Sequence, residues 1–273
     1  MVLMSFSMIA TRELWKYLGE FDAISEMNEI AIRSLLHSYK RVGKVLGKDA
    51  SLAFVSRASE KHGIRVNASV IDQLAVGMAR NYVCTVWNSV DSFLKEFRAE
   101  HQKLTGSEWN GDSRDKSRIR LTFENLFGSE QKGAEAIGLH RNELLNYCRT
   151  VRNRIVHPRS TTSTAVEESY ARLEPNISAL QVEYGVSQAP RQFSEICFED
   201  SILLSRVLKD VALVINNKAT PAPGVLLGSI DHAKFKRINN PARRKAAIKG
   251  ELCTRFGLDS KEAAAIVELG LLA

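Results

Sequence analysis

The sequence predicts an all-α fold. Apolar residues recur at three- and four-residue steps through several long segments, which is the spacing of one buried face of a helix. The chain has 273 residues, 44% of them hydrophobic and 25% charged, an ordinary globular composition that leaves ample material for a core. We therefore expect a helical bundle, with a short helical appendage at the C-terminal end.

The first half of the chain contains two long helical segments. Residues 11–48 are predicted to be helical, with glycines near and beyond their end. The longest predicted helix covers residues 68–104, with Asn67 as its N-cap and Thr105-Gly106 as its stop. Its apolar stripe is best interpreted as core: Ile71, Leu74, Met78, Val83, Val86, Val90, Phe93 and Phe97.

A later helix, residues 141–156, is predicted by the same spacing, after a short helix at 116–127. Its expected buried face holds Leu144, Leu145, Cys148, Val151 and Ile155. Pro158 disfavours a helical conformation at the preceding residue, so His157 should lie at the helix C-terminus or just beyond it.

The segments that follow predict helices and one small sheet. Residues 164–173 and 200–217 have helical spacing. Residues 177–184 and 192–199 are rich in β-branched and aromatic residues and are separated by residues 185–190, so a small β-hairpin is expected there.

A linker at residues 220–224 separates the last part of the chain. From Asp231 to Gly250 there are seven basic residues against one acid, and residues 259–272 predict a short helix capped by Asp259 or Ser260. The expected organisation is an N-terminal helical extension (1–60), a helical core (61–219) and a basic C-terminal helical module (225–273).

Charge and motifs limit the classes of function. The net charge of +7 and pI of about 9.3 favour an anionic partner. The four cysteines are widely spaced, which favours reduced thiols over a disulfide framework or zinc site. Residues 1–10 are apolar but too short for a membrane span, so a cytoplasmic protein without membrane contact is expected. Phosphate-loop, dinucleotide-binding and serine-hydrolase motifs are not found in the sequence, and no cofactor is expected.

The segment Arg152-Asn153-Arg154-Ile155-Val156-His157-Pro158 carries the candidate chemistry. A guanidinium binds phosphate through a planar set of donors, and an imidazole exchanges protons near neutral pH. RNA supplies its own nucleophile, the 2′-hydroxyl, so such groups suit metal-independent cleavage with Arg152 opposite the phosphorane and His157 as general acid or base. Asn153 would orient one of these groups.

Arg152-Asn153, three further residues and His157 resemble the signature of the HEPN superfamily, and the resemblance covers about residues 66–218. It implies a HEPN-like helical bundle, a homodimer with a composite active site, and an endoribonuclease of the toxin, abortive-infection or antiviral defence type. It also implies transfer RNA among the substrates to test, a supporting role for Asp91, and an antitoxin or a separate NTPase as regulatory partner. Some relatives carry a tyrosine two residues after the histidine, where this chain has Arg159.

Two other interpretations remain open on the sequence. Arg152 and Arg154 can be solvated helix charges and His157 a favourable cation at a helix C-terminus, in which case the chain is a non-catalytic RNA- or protein-binding module. A weaker alternative is a DNA-binding regulator that uses the tail. If the chain is an endoribonuclease or an RNA-binding module, a cluster of arginines is expected to bind RNA: Arg141, Arg149, Arg154 and Arg159, beside Arg152.

Overall fold

The computed structural model describes residues 5–111, 117–159 and 161–269. Within these ranges all regular structure is helical, with twelve α-helices, four 3₁₀ helices and no strand. The all-α prediction is confirmed. None of the described helices is both long enough and apolar enough to cross a membrane.

The α-helices follow one another in chain order and are numbered accordingly. They are α1 (Ile9–Leu46), α2 (Lys48–His62), α3 (Leu74–Thr105), α4 (Arg118–Phe127), α5 (Glu130–Ile137), α6 (Leu139–Val156), α7 (Ser163–Leu173), α8 (Ile177–Tyr184), α9 (Phe198–Lys218), α10 (Pro223–Gly228), α11 (Pro241–Phe256) and α12 (Ser260–Leu269). The 3₁₀ helices are Ala68–Gln73, Glu174–Asn176, Phe193–Glu195 and His232–Phe235.

The prediction of one longest helix at residues 68–104 is wrong in its first part. Ala68–Gln73 forms a 3₁₀ helix, and Asn67 caps it by accepting a hydrogen bond from the Ser69 N–H over 3.1 Å. Short 3₁₀ segments are frequent where α-helices begin, and periodicity does not distinguish them. As a result α3 has 32 residues, and α1, with 38, is longer.

The predicted β-hairpin is also wrong. Residues 177–184 form α8, which ends at Gly185 in the left-handed conformation, and Phe193–Glu195 is a 3₁₀ helix. Side chains bind backbone carbonyls in and beside the second predicted strand: Tyr147 Oη donates to the Arg191 carbonyl over 2.7 Å, and Arg80 Nη2 donates to the Phe193 carbonyl over 2.9 Å. Local β propensity is overridden because these polar contacts, made across the fold, satisfy the backbone.

The chain divides into two compact units that interleave in sequence. Unit 1 comprises Met1–Tyr17, Asn88–Leu139 and Leu208–Ala273, and unit 2 comprises Leu18–Trp87 and His140–Val207. The three continuous segments expected from the sequence follow a different division, and their boundaries stay predictions.

Unit 2 contains the predicted arginine–histidine element. Helix α6 is anchored in it by a buried face that includes Leu144, Leu145, Cys148 and Val151, each at most 3% exposed. The spacing predicted these four residues as core, whereas Ile155 is only half-buried. Tight packing of this face fixes the rotation of the helix, and so determines where its last turn presents polar groups.

Unit 1 ties residues near the start of the chain to α9 and α11. The fully buried Asn216 accepts a hydrogen bond from the Met8 N–H over 2.9 Å and donates to the Phe6 carbonyl over 2.7 Å. Arg12 donates to the carbonyls of Thr254 and Arg255 at the end of α11, over 2.8 and 2.7 Å. The tail helices therefore belong to a unit completed by the first residues of the described chain.

Candidate active site

The arginine–histidine element lies where α6 ends. The last helical residue is Val156, and the His157 N–H closes the final turn by donating to the Asn153 carbonyl over 2.7 Å. His157 itself is exposed and lies immediately after the helix, as Pro158 predicted. Its carbonyl accepts a hydrogen bond from the Thr161 N–H over 3.2 Å, which turns the chain back after the helix.

Asn153 is hydrogen-bonded to both candidate residues, to Arg152 through its side chain and to His157 through the ordinary backbone bond of a helix end. Its side-chain oxygen accepts a hydrogen bond from Arg152 Nη1 over 3.1 Å, and its carbonyl receives the His157 N–H. Arg152 and Asn153 are half-buried. The amide therefore restrains the guanidinium while the backbone of the same residue holds the start of the turn that carries the imidazole.

Arg152 also lies in the electrostatic environment of α3. Burial raises the pKa of the Cys84 thiol, and the positive charge of Arg152 acts in the opposite direction. Cys84 is 8% exposed and belongs to unit 2. The sequence carries no signal for this neighbour, because nothing in the local pattern relates residues separated by about seventy positions.

Arg154 braces the chain that follows α6. Its Nη1 donates to the Pro158 carbonyl over 2.7 Å and to the Thr161 carbonyl over 2.8 Å. Both carbonyls lie beyond the last helical residue, Val156, so these bonds hold the segment that follows the helix. The positive charge of Arg154 is also favourable near the helix end, since the helix dipole is negative there. Part of the donor set of Arg154 is thus used inside its own chain, and RNA binding by this residue stays a prediction.

Arg141 is neutralised by an acid on another helix. It forms an ion pair with Glu183, whose second carboxylate oxygen lies 2.7 Å from His140 Nε2. Burial alone would raise the pKa of Glu183, but hydrogen bonds and charge from Arg141 and His140 outweigh it and lower that pKa. The predicted role of Arg141 in RNA binding therefore competes with a structural one.

The other predicted residues differ in their surroundings. Arg149 Nη2 donates to Asn146 Oδ1 over a long 3.4 Å, and Arg159 is exposed after the helix end. Asp91 is half-buried on α3 within unit 1, whereas Arg152 belongs to unit 2. A supporting role of Asp91 stays a prediction.

A cavity of about 310 Å³ adjoins the element and was not predicted. Its wall includes Arg154, one face of α7 with the acidic Glu167, and Glu174, the first residue of the 3₁₀ helix that follows α7. The face of α7 has a sequence signal, since its residues recur at steps of three and four: Ser163, Val166, Glu167, Tyr170 and Ala171. Two carboxylates beside one guanidinium do not suit a phosphate, so we do not assign RNA to this cavity.

Thiols and clustered metal ligands offer no further candidate centre in the described ranges. The four cysteines are free, with Cys84 and Cys148 buried and Cys197 and Cys253 half-buried. In residues 5–111, 117–159 and 161–269 no three His, Cys, Asp or Glu side chains form a group suited to holding a metal ion.

Comparisons with protein-family models, with curated proteins and with solved structures find no match for this chain.

Proposed function

We propose that this protein is a metal-independent endoribonuclease of the HEPN type. The observation that carries the proposal is that a guanidinium held by Asn153 and an exposed histidine lie close together in sequence at the end of one helix, α6. The all-α architecture, with the element on the last turn of a well-packed helix, agrees with the resemblance that the sequence suggests.

The reaction uses the 2′-hydroxyl of the substrate. A base removes its proton, the 2′-oxygen attacks the adjacent phosphorus, and an acid protonates the departing 5′-oxygen. The products are a 2′,3′-cyclic phosphate and a 5′-hydroxyl. His157 serves as general acid or base, a role worth about 10²–10⁴-fold in rate, and Arg152 stabilises the charge of the phosphorane. DNA lacks the nucleophile and is not cleaved.

In the proposed homodimer, Arg152 of one chain and His157 of the other converge on one substrate. Residues five apart on an ideal helix point about 140° away from each other, so Arg152 and His157 do not share a helical face. Helix termination before His157 relaxes this restriction, and a symmetric pair of chains removes it, because an isologous interface brings two copies of one element together.

The surroundings of the arginines narrow the surface on which RNA would lie. Arg141 is paired with Glu183 and Arg154 is bonded to two carbonyls of its own chain. Arg149 and Arg159, with Arg152, are therefore the cations that we assign to the substrate backbone. A role in toxin-type or anti-phage defence, with an antitoxin or NTPase as partner, follows from the resemblance and forms part of the proposal.

The test is incubation of the purified protein with total RNA and transfer RNA in EDTA, beside His157→Ala and Arg152→Ala. We expect cleavage by the wild type alone, with 2′,3′-cyclic phosphate ends. His62→Ala is a matched control, because His62 is also an exposed histidine at the end of a helix, α2. Equal cleavage by all variants would contradict the assignment.

The second candidate function is a non-catalytic helical module that binds RNA or a protein. The contacts that Arg141 and Arg154 make within their own chain favour it, since arginines that stabilise the fold have a role without any catalysis. This alternative predicts no cleavage by the wild type, with or without a partner. It also predicts RNA binding that survives His157→Ala and falls only when several arginines are replaced.

A further inference from the structure

The most strongly charged part of the described chain lies between α10 and the middle of α11. From His232 to Gly250 there are seven lysines and arginines and no acidic residue. Four of them form what we call the basic tail surface: Lys234, Lys236, Arg237 and Arg243, which are all exposed. Lys249 is half-buried, follows Arg243 by six positions on α11 and so points about 120° away from it; it is not part of this surface.

Two further cations in this stretch are already used within unit 1. Arg244 donates through Nε and Nη2 to the Ile238 carbonyl, over 3.0 and 2.9 Å, and Lys245 Nζ lies 3.3 Å from a carboxylate oxygen of Glu268. By contrast, the side chains of the basic tail surface make no hydrogen bond or ion pair with any described residue. Their charge is therefore available to an external anion.

The fold holds this charge in place. Asn240 caps α11 by accepting a hydrogen bond from the Arg243 N–H over 3.1 Å, and Arg244 ties the start of the helix to the preceding turn at Ile238. The positive end of the α11 dipole lies at this same turn and adds to the positive potential there. A row of cations at a fixed turn suits an extended polyanion better than a single small anion.

Helices α11 and α12 also limit how a nucleic acid can be read. They are joined by Gly257, Leu258 and Asp259, with Gly257 in the left-handed conformation, a connection as short as that of helix-turn-helix modules. Such modules place the first turn of the second helix in the major groove. Here the chain itself covers that turn: the Ser5 N–H donates to both oxygens of Glu262, over 2.9 and 3.1 Å, and the Asp259 N–H donates to Ser5 Oγ over 2.7 Å.

Base stacking has little support on this surface. Phe235 is the single aromatic residue between His232 and Gly250, and it is half-buried. Without stacking residues or an open reading helix, contact falls on the phosphates, which carry no sequence information directly. This combination predicts strong dependence of binding on salt and weak dependence on sequence.

We propose that the basic tail surface binds the phosphate backbone of RNA and acts as a docking surface separate from Arg152 and His157. The choice of RNA as the polyanion rests on the proposed function. The surface itself is defined by the charges and contacts of unit 1.

The experiment measures binding of a fluorescein-labelled single-stranded RNA of thirty nucleotides to full-length His157→Ala protein in EDTA. The test variant adds Lys234→Glu, Lys236→Glu, Arg237→Glu and Arg243→Glu. The matched control instead adds Lys40→Glu, Arg41→Glu, Lys44→Glu and Lys48→Glu. These four residues are also exposed, and their replacement makes the same change in net charge.

We expect the tail variant to bind at least about 30-fold more weakly at low salt, and the control to change less than about 3-fold. The slope of log affinity against log salt should fall by about 3 for the tail variant, as expected for four lost contacts to single-stranded phosphate. Equal losses in both variants would show a general charge effect and overturn the proposal. Circular dichroism checks folding, and a four-fold glutamine variant replaces the glutamate variant if that one is unfolded.

Two further arms separate the remaining explanations. Single-stranded DNA of equal length and sequence, added as competitor, should displace the RNA at a similar concentration, because it presents the same phosphates. Failure to displace it would show that the surface reads the 2′-hydroxyls or bases and would overturn the assignment to the phosphate backbone. Cleavage by the wild type is measured separately. If the tail variant binds normally while the wild type cleaves, this proposal fails alone, and if the surface binds RNA but no chain cleaves it, the proposed nuclease function fails alone.

Discussion

The side-chain oxygen of Asn153 lies 3.1 Å from Nη1 of Arg152, its neighbour in sequence. Adjacent residues on a helix point in different directions, so this bond requires the long arginine side chain to fold back along the helix surface. The guanidinium consequently has fewer accessible orientations than that of an exposed arginine. A cation held in advance stabilises a developing charge without having to reorganise during the reaction.

Replacing Asn153 by alanine should lower the rate of RNA cleavage by about 10-fold to 100-fold, because Arg152 loses its restraint while keeping its charge. The loss should appear in kcat more than in KM. Asn146→Ala is the matched control, since Asn146 makes the corresponding contact with Arg149 on the same helix. Single-turnover cleavage of a labelled RNA measures both variants. A rate for Asn153→Ala equal to that of the wild type would contradict the orienting role.

Mixing two inactive proteins tests whether the site is built from two chains. Arg152→Ala and His157→Ala should each fail to cleave RNA, whereas their mixture should recover up to about a quarter of wild-type activity. Half of the randomly formed dimers are hybrids, and one of the two composite sites in each hybrid keeps both an intact arginine and an intact histidine. Subunit exchange is allowed before the assay. No recovery, despite hybrid dimers detected by native mass spectrometry, would show that each site uses one chain.

Arg154→Ala should destabilise the chain segment after α6. The substitution removes a charged donor that bonds the carbonyls of Pro158 and Thr161, and we expect a loss of about 1–2 kcal/mol in the free energy of unfolding. Arg159→Ala is the control, because the exposed Arg159 should change stability by less than about 0.5 kcal/mol. Urea denaturation measures both. Equal stabilities for the two variants would argue against the bracing role.

The pH dependence of stability should report on Asp200. Burial raises the pKa of this carboxyl to about 6, although backbone hydrogen bonds from Cys197 and Arg191, each 2.8 Å, oppose the shift. A folded-state pKa above the unfolded value near 3.9 means that the folded state holds the proton more tightly. Stability contributed by this group is therefore present below pH 4 and is lost as the pH rises from about 4 to 6.

Asp200→Asn removes that titration. We expect the difference in unfolding free energy, wild type minus variant, to fall by about 2–3 kcal/mol between pH 4 and pH 7. Urea denaturation of both proteins at each pH supplies the comparison. Asparagine keeps only one of the two oxygen acceptors of Asp200, and this loss adds a constant that does not depend on pH. A difference that stays flat across this range would contradict the raised pKa.

Local sequence signals were sufficient to predict the end of α6. Helical spacing located its buried face, and Pro158 located its end, so His157 was expected where the structure has it. Both signals act within a few residues along the chain. The position of the candidate element at the helix end was predictable for the same reason, whereas its catalytic role stays a prediction.

Contacts between distant residues could not be predicted in this way. Arg141 pairs with Glu183 across 42 positions, and nothing near either residue distinguishes this arginine from Arg149. The mistaken hairpin has a similar cause, because the side chains that hold residues 191–197 come from α3, α6 and α9. Propensity describes what a segment prefers alone, and these partners are known only after folding.

The pairing of residues 6–8 with Asn216 and Phe256 also bears on how fast the protein folds. The Ser7 N–H donates to the Phe256 carbonyl over 2.7 Å, so two partners about 250 positions apart must meet before unit 1 is complete. Contacts of such high sequence separation close large loops and raise the contact order, which slows folding. During synthesis these bonds form only after residue 256 has left the ribosome. Unit 1 is therefore expected to complete its folding late, after α11 has been synthesised.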